Sequence, residues 1–572
     1  MTRRGRTAGL SLVLSSALLL AASTPGLGSP KDHHPAGTRP TPAARDTSAS
    51  RPDDRTWVDH DGRPIPQPPD WDPDFLGHVF REAAVEPLSH AFDIPDKMLL
   101  GARALGAHPQ REALDVNAFD EVPNSTWFTN RNHLRAVPVA ELRMGPDSTT
   151  LPSKPWTITH RKQGGASTGF QIKDAAGRKW LLKLEPRGYV QLCTGADMVA
   201  RTLLHASGYN VPHNEAVRFR REDLTISKDL ARGAKGERLT EAELDSMLAG
   251  GGVYPDGENS ALASLYLSGH VLGSFSSFRR RPGDRNDWYR HPNRRELRGL
   301  YVISSWIGFW DTKDANLLDT FIMTRDSLGH VDHYFLDPGS SFGADARGPK
   351  RQQDGFEGIA DFGWMARRLV TLGFVTEPWR RARQDTGIPS IGRFESAVFD
   401  PGAFVPGVPD LSYHYRTAGD DYWGAKIVAS FSDAQIGAAV DAAHYEDPRA
   451  REFLVRALIV RRDKIARYWF ARVAPLDFFS VEDGTLRFHD LAVDIGIAGP
   501  RGYEAEIESE GGSGPAPDRV RLRDPDLPLR PLGTTASRVS IQLSIAGSGA
   551  KPVHIQLARK GLHWTVARVR HG

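Results

Sequence analysis

The sequence predicts an α+β fold in which a small β-rich lobe precedes a helical lobe. Alternating apolar runs flank a turn in "GFQIKDAAGRKWLLKLEP", and helical spacing runs through "DPRAREFLVRALIVRRDKIARYWFARV". Short strand-like runs such as "RVSIQLSIAG" follow near the end of the chain. With 572 residues, of which 40% are hydrophobic, the chain is long enough for several folding units with cores of their own.

The N-terminus has the pattern of an export signal. The basic stretch "MTRRGRTAG" precedes the apolar run "LSLVLSSALLLAA", which is too short to span a bilayer comfortably. We therefore expect residues 1–28 to be a signal peptide and the protein to be exported to the periplasm, the cell envelope or the medium. Membrane association is expected only if this signal is not cleaved.

Five segments follow the signal in the predicted domain order. Residues 29–56 are rich in proline, serine and charge and predict a disordered linker. Residues 57–150 predict a helical accessory region that ends in the ordered loop "DVNAFDEVPNSTWFTNRNHL". The β-rich lobe should occupy residues 151–230, with one helix, and the helical lobe residues 231–480. Residues 481–572 predict a small β domain, in the form of a sandwich.

Charge and cysteine content limit the possible partners. The chain has 73 basic and 70 acidic residues, a formal charge of +3, which gives no indication of a nucleic-acid partner. Cys193 is the sole cysteine, so the chain has no internal disulfide. Because free cysteine prefers burial, we expect Cys193 to be a small buried apolar residue rather than a nucleophile.

A polar cluster interrupts an apolar run in "GFWDTKDANLLDTF". It contains Asp311, Lys313 and Asn316, and a second acid, Asp337, follows the strand-like "HYFL". Phosphoryl transfer needs an acid to orient the acceptor hydroxyl, a cation near the phosphates and oxygen ligands for Mg²⁺. These residue types therefore form a candidate phosphoryl-transfer site.

Candidates for holding a nucleotide come earlier in the chain. The stretch "KQGGASTGFQIKD" places Gly164, Gly165 and Gly169 before a hairpin, where flexible backbone could cover phosphates. Lys183 alternates out of the apolar strand "WLLKLEP", and Asp197 on the next helix is one possible partner for it.

In their order and spacing, "DTKDANLL" and "FLDPG" resemble the catalytic loop and the metal-binding strand end of the protein-kinase-like superfamily. The resemblance extends over roughly residues 155 to 475. The motifs "DEVPNSTWFTNR", "GYNVPHN", "RRELRGL", "YWGAKIVASFSD" and "PLDFF" further resemble a group of uncharacterised exported bacterial proteins. Together they suggest a divergent branch similar to HipA-type and lipid-kinase-like enzymes.

The resemblance implies ATP and Mg²⁺ as cofactors and assigns a role to each candidate. Asp311 would orient or deprotonate the acceptor hydroxyl, and Lys313 would neutralise charge on the transferred group. Asn316 and Asp337 would bind Mg²⁺. Lys183 would hold the nucleotide phosphates, assisted by Asp197 and the three glycines.

The sequence departs from the kinase pattern at several positions. Phe309 stands where most kinases have His or Tyr, Pro338 follows the metal-binding acid, and the glycine loop does not fit G-x-G-x-x-G. Three hypotheses therefore remain. The first is an exported kinase-like phosphotransferase acting on a hydroxyl of a protein, sugar or lipid, and the second is an inactive kinase-like scaffold of the envelope. The third is a hydrolase that uses Ser167 of "GASTG" as nucleophile.

Two other motifs offer alternative assignments. A literal Asp-Phe-Gly begins at Asp361, 45 residues after Asn316 (361 − 316), whereas Asp337 lies 21 residues after it (337 − 316). We favour Asp337 as the metal ligand because a strand precedes it, and expect Asp361 to cap a helix. The residues of "HVDHYFLD" could bind a metal, but a surface strand edge is the preferred interpretation.

Overall fold

The computed structural model describes residues 61–71, 112–144, 150–233, 237–358, 368–375, 378–408, 410–509, 518–529 and 536–572. The predicted signal peptide, the linker, most of the accessory region and the Asp361 motif lie outside the described residues. Within them the α+β class is confirmed, and no helix is both long and apolar enough to cross a membrane.

A six-stranded sheet forms the first lobe. Its strand order is β5-β7-β4-β3-β2-β6, antiparallel except for the parallel pair of β2 and β6. One face packs on a core that includes Trp156, Phe170 and Trp180. The elements up to the end of this lobe are β1 (Ile65–Pro66), α1 (Val139–Met144), β2 (Trp156–Arg161), β3 (Gly169–Lys173), β4 (Lys179–Leu184), α2 (Cys193–Ser207), β5 (Asn214–Phe219), β6 (Leu224–Ile226), α3 (Lys228–Ala231), α4 (Glu241–Ala249) and β7 (Asn259–Leu265).

The sheet extends beyond the segment predicted for it. Strand β7 lies past residue 230, in the range predicted to be helical, yet it pairs with β4 on one side and with the edge strand β5 on the other. Strand pairing depends on contacts between distant segments, so local pattern alone did not place β7.

A buried helix and a second sheet follow the first lobe along the chain. All 13 residues of α5 are buried, and the second sheet has the order β1-β10-β9-β8. A hairpin of β9 and β10 lies between Asn316 and Asp337, and its turn at Asp326 and Ser327 has positive φ. The elements here are β8 (His270–Gly273), α5 (Arg295–Ile307), β9 (Leu317–Arg325), β10 (Leu328–Phe335), β11 (Ala344–Asp345) and β12 (Gly348–Pro349).

Helices build the rest of the second lobe around α5. Gly299 of α5 lets Trp423 pack directly against the helix, since an added Cβ there would lie 2.6 Å from the indole. The described helices are α6 (Pro378–Arg381), α7 (Leu411–His414), α8 (Ala418–Ala429), α9 (Asp433–Asp441) and α10 (Pro448–Phe470).

Two further sheets share one apolar core at the C-terminal end of the chain. Their strand orders are β13-β14-β17 and β16-β15-β18-β19-β20, and the first strand begins at Leu476. The elements are β13 (Leu476–Glu482), β14 (Thr485–Asp490), α11 (Leu491–Asp494), β15 (Tyr503–Ser509), β16 (Asp518–Leu522), β17 (Asp526–Pro528), β18 (Arg538–Ile545), β19 (Val553–Lys560) and β20 (His563–His571).

Buried charges connect this C-terminal part to the helical lobe. The Asp120 carboxylate accepts hydrogen bonds from His571 Nδ1 at 2.8 Å and from Arg295 Nη1 at 2.6 Å. Arg295 Nε in turn donates to Asp420 at 3.0 Å. Because Asp120 lies in the predicted ordered loop, this loop is held between β20 and helices α5 and α8.

Candidate functional site

A cleft of about 670 Å³ lies between the β-rich lobe and the helical lobe. The loop between β2 and β3, strand β4 and the start of α2 form its upper wall. The segments that follow α5 and β10 form its lower wall. Lys183, Asp311, Asn316 and Asp337, which are far apart in sequence, all line this cleft.

Strand alternation points Lys183 into the cleft. In β4 the side chains of Trp180, Leu182 and Leu184 are buried in the lobe core, so Lys183 faces the opposite side. Its Nζ lies 3.1 Å from Asp337 Oδ2. Burial by itself lowers the pKa of Lys183, but the nearby carboxylates of Asp337 and Asp197 outweigh burial and raise it. Lys183 is thus a cation held in the cleft.

Asp337 sits at the end of β10 in a conformation that L-residues seldom adopt. Its φ and ψ are both 50°, and a short 3-10 turn, Pro338–Ser340, follows at once. Its side chain is 45% exposed. Burial raises the pKa of Asp337, but the Lys183 ion pair, with Lys313 and Lys162 nearby, lowers it overall. A strained, ionised carboxylate therefore faces the cleft, as is common in functional sites.

The polar cluster after α5 forms a tight loop. Gly308 ends the helix in the left-handed conformation, with φ 68°. Lys313 Nζ lies 2.7 Å from Asp311 Oδ2, and Asn316 Nδ2 donates to the Asp311 carbonyl at 2.7 Å and to Oδ2 at 3.2 Å. These hydrogen bonds hold the Asp311 carboxylate in place. None of the three involves the amide oxygen of Asn316.

The glycines of the first loop differ in their positions. Gly164 and Gly165 line the cleft with φ near 70°, which favours glycine. Gly169 is instead the first residue of β3, where an added Cβ would lie 2.1 Å from the Leu182 carbonyl oxygen. It is paired with Lys183 across the sheet, so its role here is close strand packing.

Asp197 is fully buried in α2 and also lines the cleft. Asn214 Nδ2 donates to its Oδ1 at 2.7 Å, while its Oδ2 has no hydrogen-bond partner. Burial raises the pKa of Asp197 to about 6, although Lys183 acts in the opposite direction. Lys183 forms its ion pair with Asp337, whereas Asp197 raises the pKa of Lys183 through its charge without forming an ion pair.

Several buried polar atoms in the cleft wall lack a partner. Buried polar groups are almost always hydrogen-bonded, so unpaired ones need an explanation such as an absent water, ion or ligand. In this wall they are Asp197 Oδ2, Ser340 Oγ and Trp310 Nε1. They lie in the same cleft as three lysines and the Asp337 carboxylate.

The donor set fits Mg²⁺ bound together with a nucleotide. No group of three or more His, Cys, Asp or Glu residues that could hold a metal occurs in the described part of the chain. Mg²⁺ in phosphoryl-transfer sites takes one or two carboxylates, and substrate phosphates complete its shell. Asp337 and the Asn316 amide oxygen could supply the protein ligands, and Lys183 the contact to phosphate.

The sequence interpretation did not select Lys162, which lies two residues before Gly164. Its Nζ donates to the carbonyls of Gly164 at 2.6 Å and Ser167 at 3.0 Å, and it faces the cleft. Burial and the nearby Lys183 lower the pKa of Lys162. Its position beside two glycines was the available signal, since a lysine there adds positive charge to a phosphate-covering loop.

The side chain of Cys193 is more exposed than the sequence predicts. It is half-buried and lines the cleft, and its Sγ donates to the Asp345 carbonyl at 3.2 Å. Burial raises the pKa of the thiol, which keeps it protonated and a poor nucleophile. Cys193 packs against the main apolar core, as expected of a small apolar residue, but it is only partly buried because the first turn of α2 borders the cleft.

The alternative motifs do not gain support from the structure. Ser167 lies in a loop between two strands, whereas a nucleophile elbow joins a strand to a helix. In "HVDHYFLD" the His333 ring is buried against Asp319, with 2.6 Å between Nδ1 and Oδ1, so it points away from His330 and Asp332. The literal motif at Asp361 lies outside the described residues.

Glu185, also missed from sequence, holds the start of α2. Its carboxylate is 2% exposed and accepts hydrogen bonds from Thr194 N at 2.7 Å, Thr194 Oγ1 at 2.6 Å and Cys193 N at 2.9 Å. Burial raises the pKa of Glu185 to about 7, despite these donors.

This raised pKa predicts a pH dependence of stability. Ionising Glu185 is harder in the folded than in the unfolded chain, so its contribution to stability falls as pH rises from about 4.5 to about 7. We expect the free energy of unfolding of wild type, relative to Glu185→Gln, to drop by up to ~3 kcal/mol over that range. Urea unfolding at several pH values measures this, and parallel curves for the two proteins would contradict it.

Comparisons with known proteins identify no family. A scan against protein-family models gives no match, and a search of curated proteins finds no relative. Among solved structures, a crystal structure of the Golgi casein kinase with Mn/ADP bound is 12% identical, with a TM-score of 0.28, over 56% of this chain and 72% of that chain. A second structure of the Golgi casein kinase is 11% identical, with a TM-score of 0.30, over 76% and 96%.

These two likenesses are too low to transfer a ligand, an activity or a residue role to this chain. Neither structure is of a HipA-type enzyme or a lipid kinase, so the resemblance to those branches stays a prediction, as does the resemblance to exported bacterial proteins. The support for a function lies in the geometry of the cleft.

Proposed function

We propose that this protein is a kinase-like phosphotransferase that moves the γ-phosphate of Mg²⁺-bound ATP to a hydroxyl acceptor. The decisive observation is that Lys183, Asp311, Asn316 and Asp337 line one cleft between two lobes. Their order also supports the proposal. A glycine loop between the first two strands of the lobe is followed by a lysine on its third strand, then by the proposed catalytic loop and the proposed metal-binding acid.

Each cleft residue has a distinct chemical task in this reaction. Asp311 accepts the proton of the acceptor hydroxyl or orients it, and Lys313, held 2.7 Å from Asp311, neutralises charge on the transferred group. Lys183 binds the phosphates of the nucleotide. Mg²⁺, when bound to Asn316 and Asp337, offsets charge on the phosphate oxygens.

The acceptor and the location of the reaction belong to the same proposal. The acceptor is a hydroxyl group of a protein, a sugar or a lipid, and Asp311 is the acid that the cleft offers to it. The N-terminal export pattern supports action in the periplasm, the envelope or the medium.

A thermal-shift experiment tests the proposal. We expect Mg²⁺ and ATP together to raise the melting temperature, since a ligand at one hundred times its Kd stabilises a protein by about 2.7 kcal/mol. EDTA should remove the shift. Lys183→Met should abolish it, whereas Lys179→Met, an exposed lysine of the same strand, should retain it. Absence of a shift with every nucleotide, in wild type, would refute the proposal.

A second candidate is an inactive kinase-like scaffold of the envelope. It is favoured by the ion pair between Lys183 and Asp337, which uses the phosphate-binding cation and the metal ligand to neutralise each other. The two candidates differ in turnover: a scaffold can bind Mg²⁺ and ATP, but it releases no ADP in the presence of any hydroxyl acceptor.

A further inference from the structure

A cluster of apolar side chains projects from the helical lobe at residues 368–375. Leu369, Val370, Leu372 and Phe374 are between 78% and 88% exposed. Most other exposed large apolar residues in the described chain are 38–65% exposed and scattered. Four such side chains within six positions form a continuous apolar tip, a feature that marks a binding surface in soluble proteins.

The backbone of this tip is held by its own hydrogen bonds. Gly373 N donates to the Arg368 carbonyl at 3.0 Å, and Phe374 N donates to the Thr371 carbonyl at 2.9 Å. Leu372 and Gly373 both have positive φ, 48° and 78°, which closes a helical turn. The tip is therefore a hydrogen-bonded turn whose apolar side chains are exposed.

Positive charge accompanies the apolar tip. From residue 368 to residue 383 the sequence contains four arginines and one acid. Of these, Arg380 and Arg383 are exposed, and Arg380 lies 5.1 Å from the ring of Trp379. The side chain of Trp379 also donates a hydrogen bond to Glu357.

We propose that residues 368–375 are a docking tip for a membrane surface that contains anionic lipids. Leu369, Leu372 and Phe374 enter the boundary between headgroups and acyl chains, and the adjacent arginines contact lipid phosphates. This attachment differs from the one predicted at the N-terminus, because it does not need an uncleaved signal.

Charge and size favour a membrane over a second copy of the chain. Two tips facing each other would bring like charges together, which opposes association. A stable protein interface buries more than about 1,000 Å², whereas this tip presents a few side chains on one turn. A lipid surface has the opposite charge and accepts a small apolar tip without a complementary pocket.

Vesicle flotation tests this proposal. The protein used is residues 29–572, so that the apolar segment of the predicted signal cannot bind lipid. It is mixed with vesicles of phosphatidylcholine alone or of phosphatidylcholine with phosphatidylglycerol. We expect flotation with the anionic vesicles, a reduction of tenfold or more for the double variant Leu372→Ser/Phe374→Ser, and weaker binding for Arg380→Gln/Arg383→Gln.

Leu562→Ser is the matched control, because Leu562 is 84% exposed at the turn between β19 and β20, away from the tip in sequence. It should float like wild type. Equal flotation of wild type and the Leu372/Phe374 variant, or none with anionic vesicles, would overturn the proposal. Self-association that the same variant abolishes, without vesicle binding, would assign the tip to a second copy. Neither readout depends on phosphoryl transfer.

Discussion

Asp337→Asn is expected to abolish the Mg²⁺-dependent binding of ATP and to reduce phosphoryl transfer by at least ~10²-fold. The variant keeps the size of the side chain but removes the carboxylate that faces Lys183 at 3.1 Å and that would hold the metal. The amide is a weaker ligand for a hard cation, so the nucleotide phosphates lose the charge that anchors them. The melting shift with Mg²⁺ and ATP, followed by ADP release, measures both effects.

Asp311→Asn separates binding from chemistry. In the proposed reaction Asp311 acts on the acceptor, so its loss should leave the ATP-induced melting shift in place and lower transfer by about 10²–10⁴-fold. Loss of the melting shift in both variants would mean that the hydrogen bonds among Asp311, Lys313 and Asn316 are needed to form the nucleotide site. An unchanged shift and rate in Asp337→Asn would show that the metal ligand lies elsewhere.

Lys426→Met is expected to destabilise the protein by about 3–5 kcal/mol. Lys426 is buried between Glu121 and Asp477, donating to both, with 2.9 Å between Nζ and Asp477 Oδ2. Burial lowers the pKa of Lys426, but the two carboxylates outweigh burial and raise it. The substitution leaves two carboxylates buried without their cation, and this loss is measured as a fall in the urea midpoint and melting temperature.

Lys154→Met is the matched control for this prediction. Lys154 pairs with Asp223 at 2.8 Å, but its side chain is 41% exposed, so water replaces the lost partner. We expect a change of about 1 kcal/mol or less. Equal small losses in both variants would show that the Lys426 cluster does not hold the loop of Glu121 against the helical lobe and the C-terminal sheets.

Several parts of the site were predictable because they depend on local pattern. The alternation of "WLLKLEP" places Lys183 opposite the lobe core, since successive strand residues face opposite sides. The hairpin before Asp337 and the helix stop before Asp311 follow from turn and capping residues.

Other parts depended on contacts between distant segments. Strand β7 pairs with β4 and β5 across a long insertion, and Lys162 and Glu185 line the cleft only when the two lobes meet. The ion-pair partner of Lys183 also depends on the tertiary structure: it is Asp337 and not Asp197.

The sequence by itself determined the α+β class, the faces of the strands and helices, and the chemical types available for a phosphate site. These follow from backbone periodicity and side-chain polarity, which act over a few residues. Only the tertiary structure decided that Lys183, Asp311, Asn316 and Asp337 share one cleft, which polar atoms there stay unpaired, and which apolar side chains remain exposed. Burial, ion pairing and exposure depend on segments that meet only after folding.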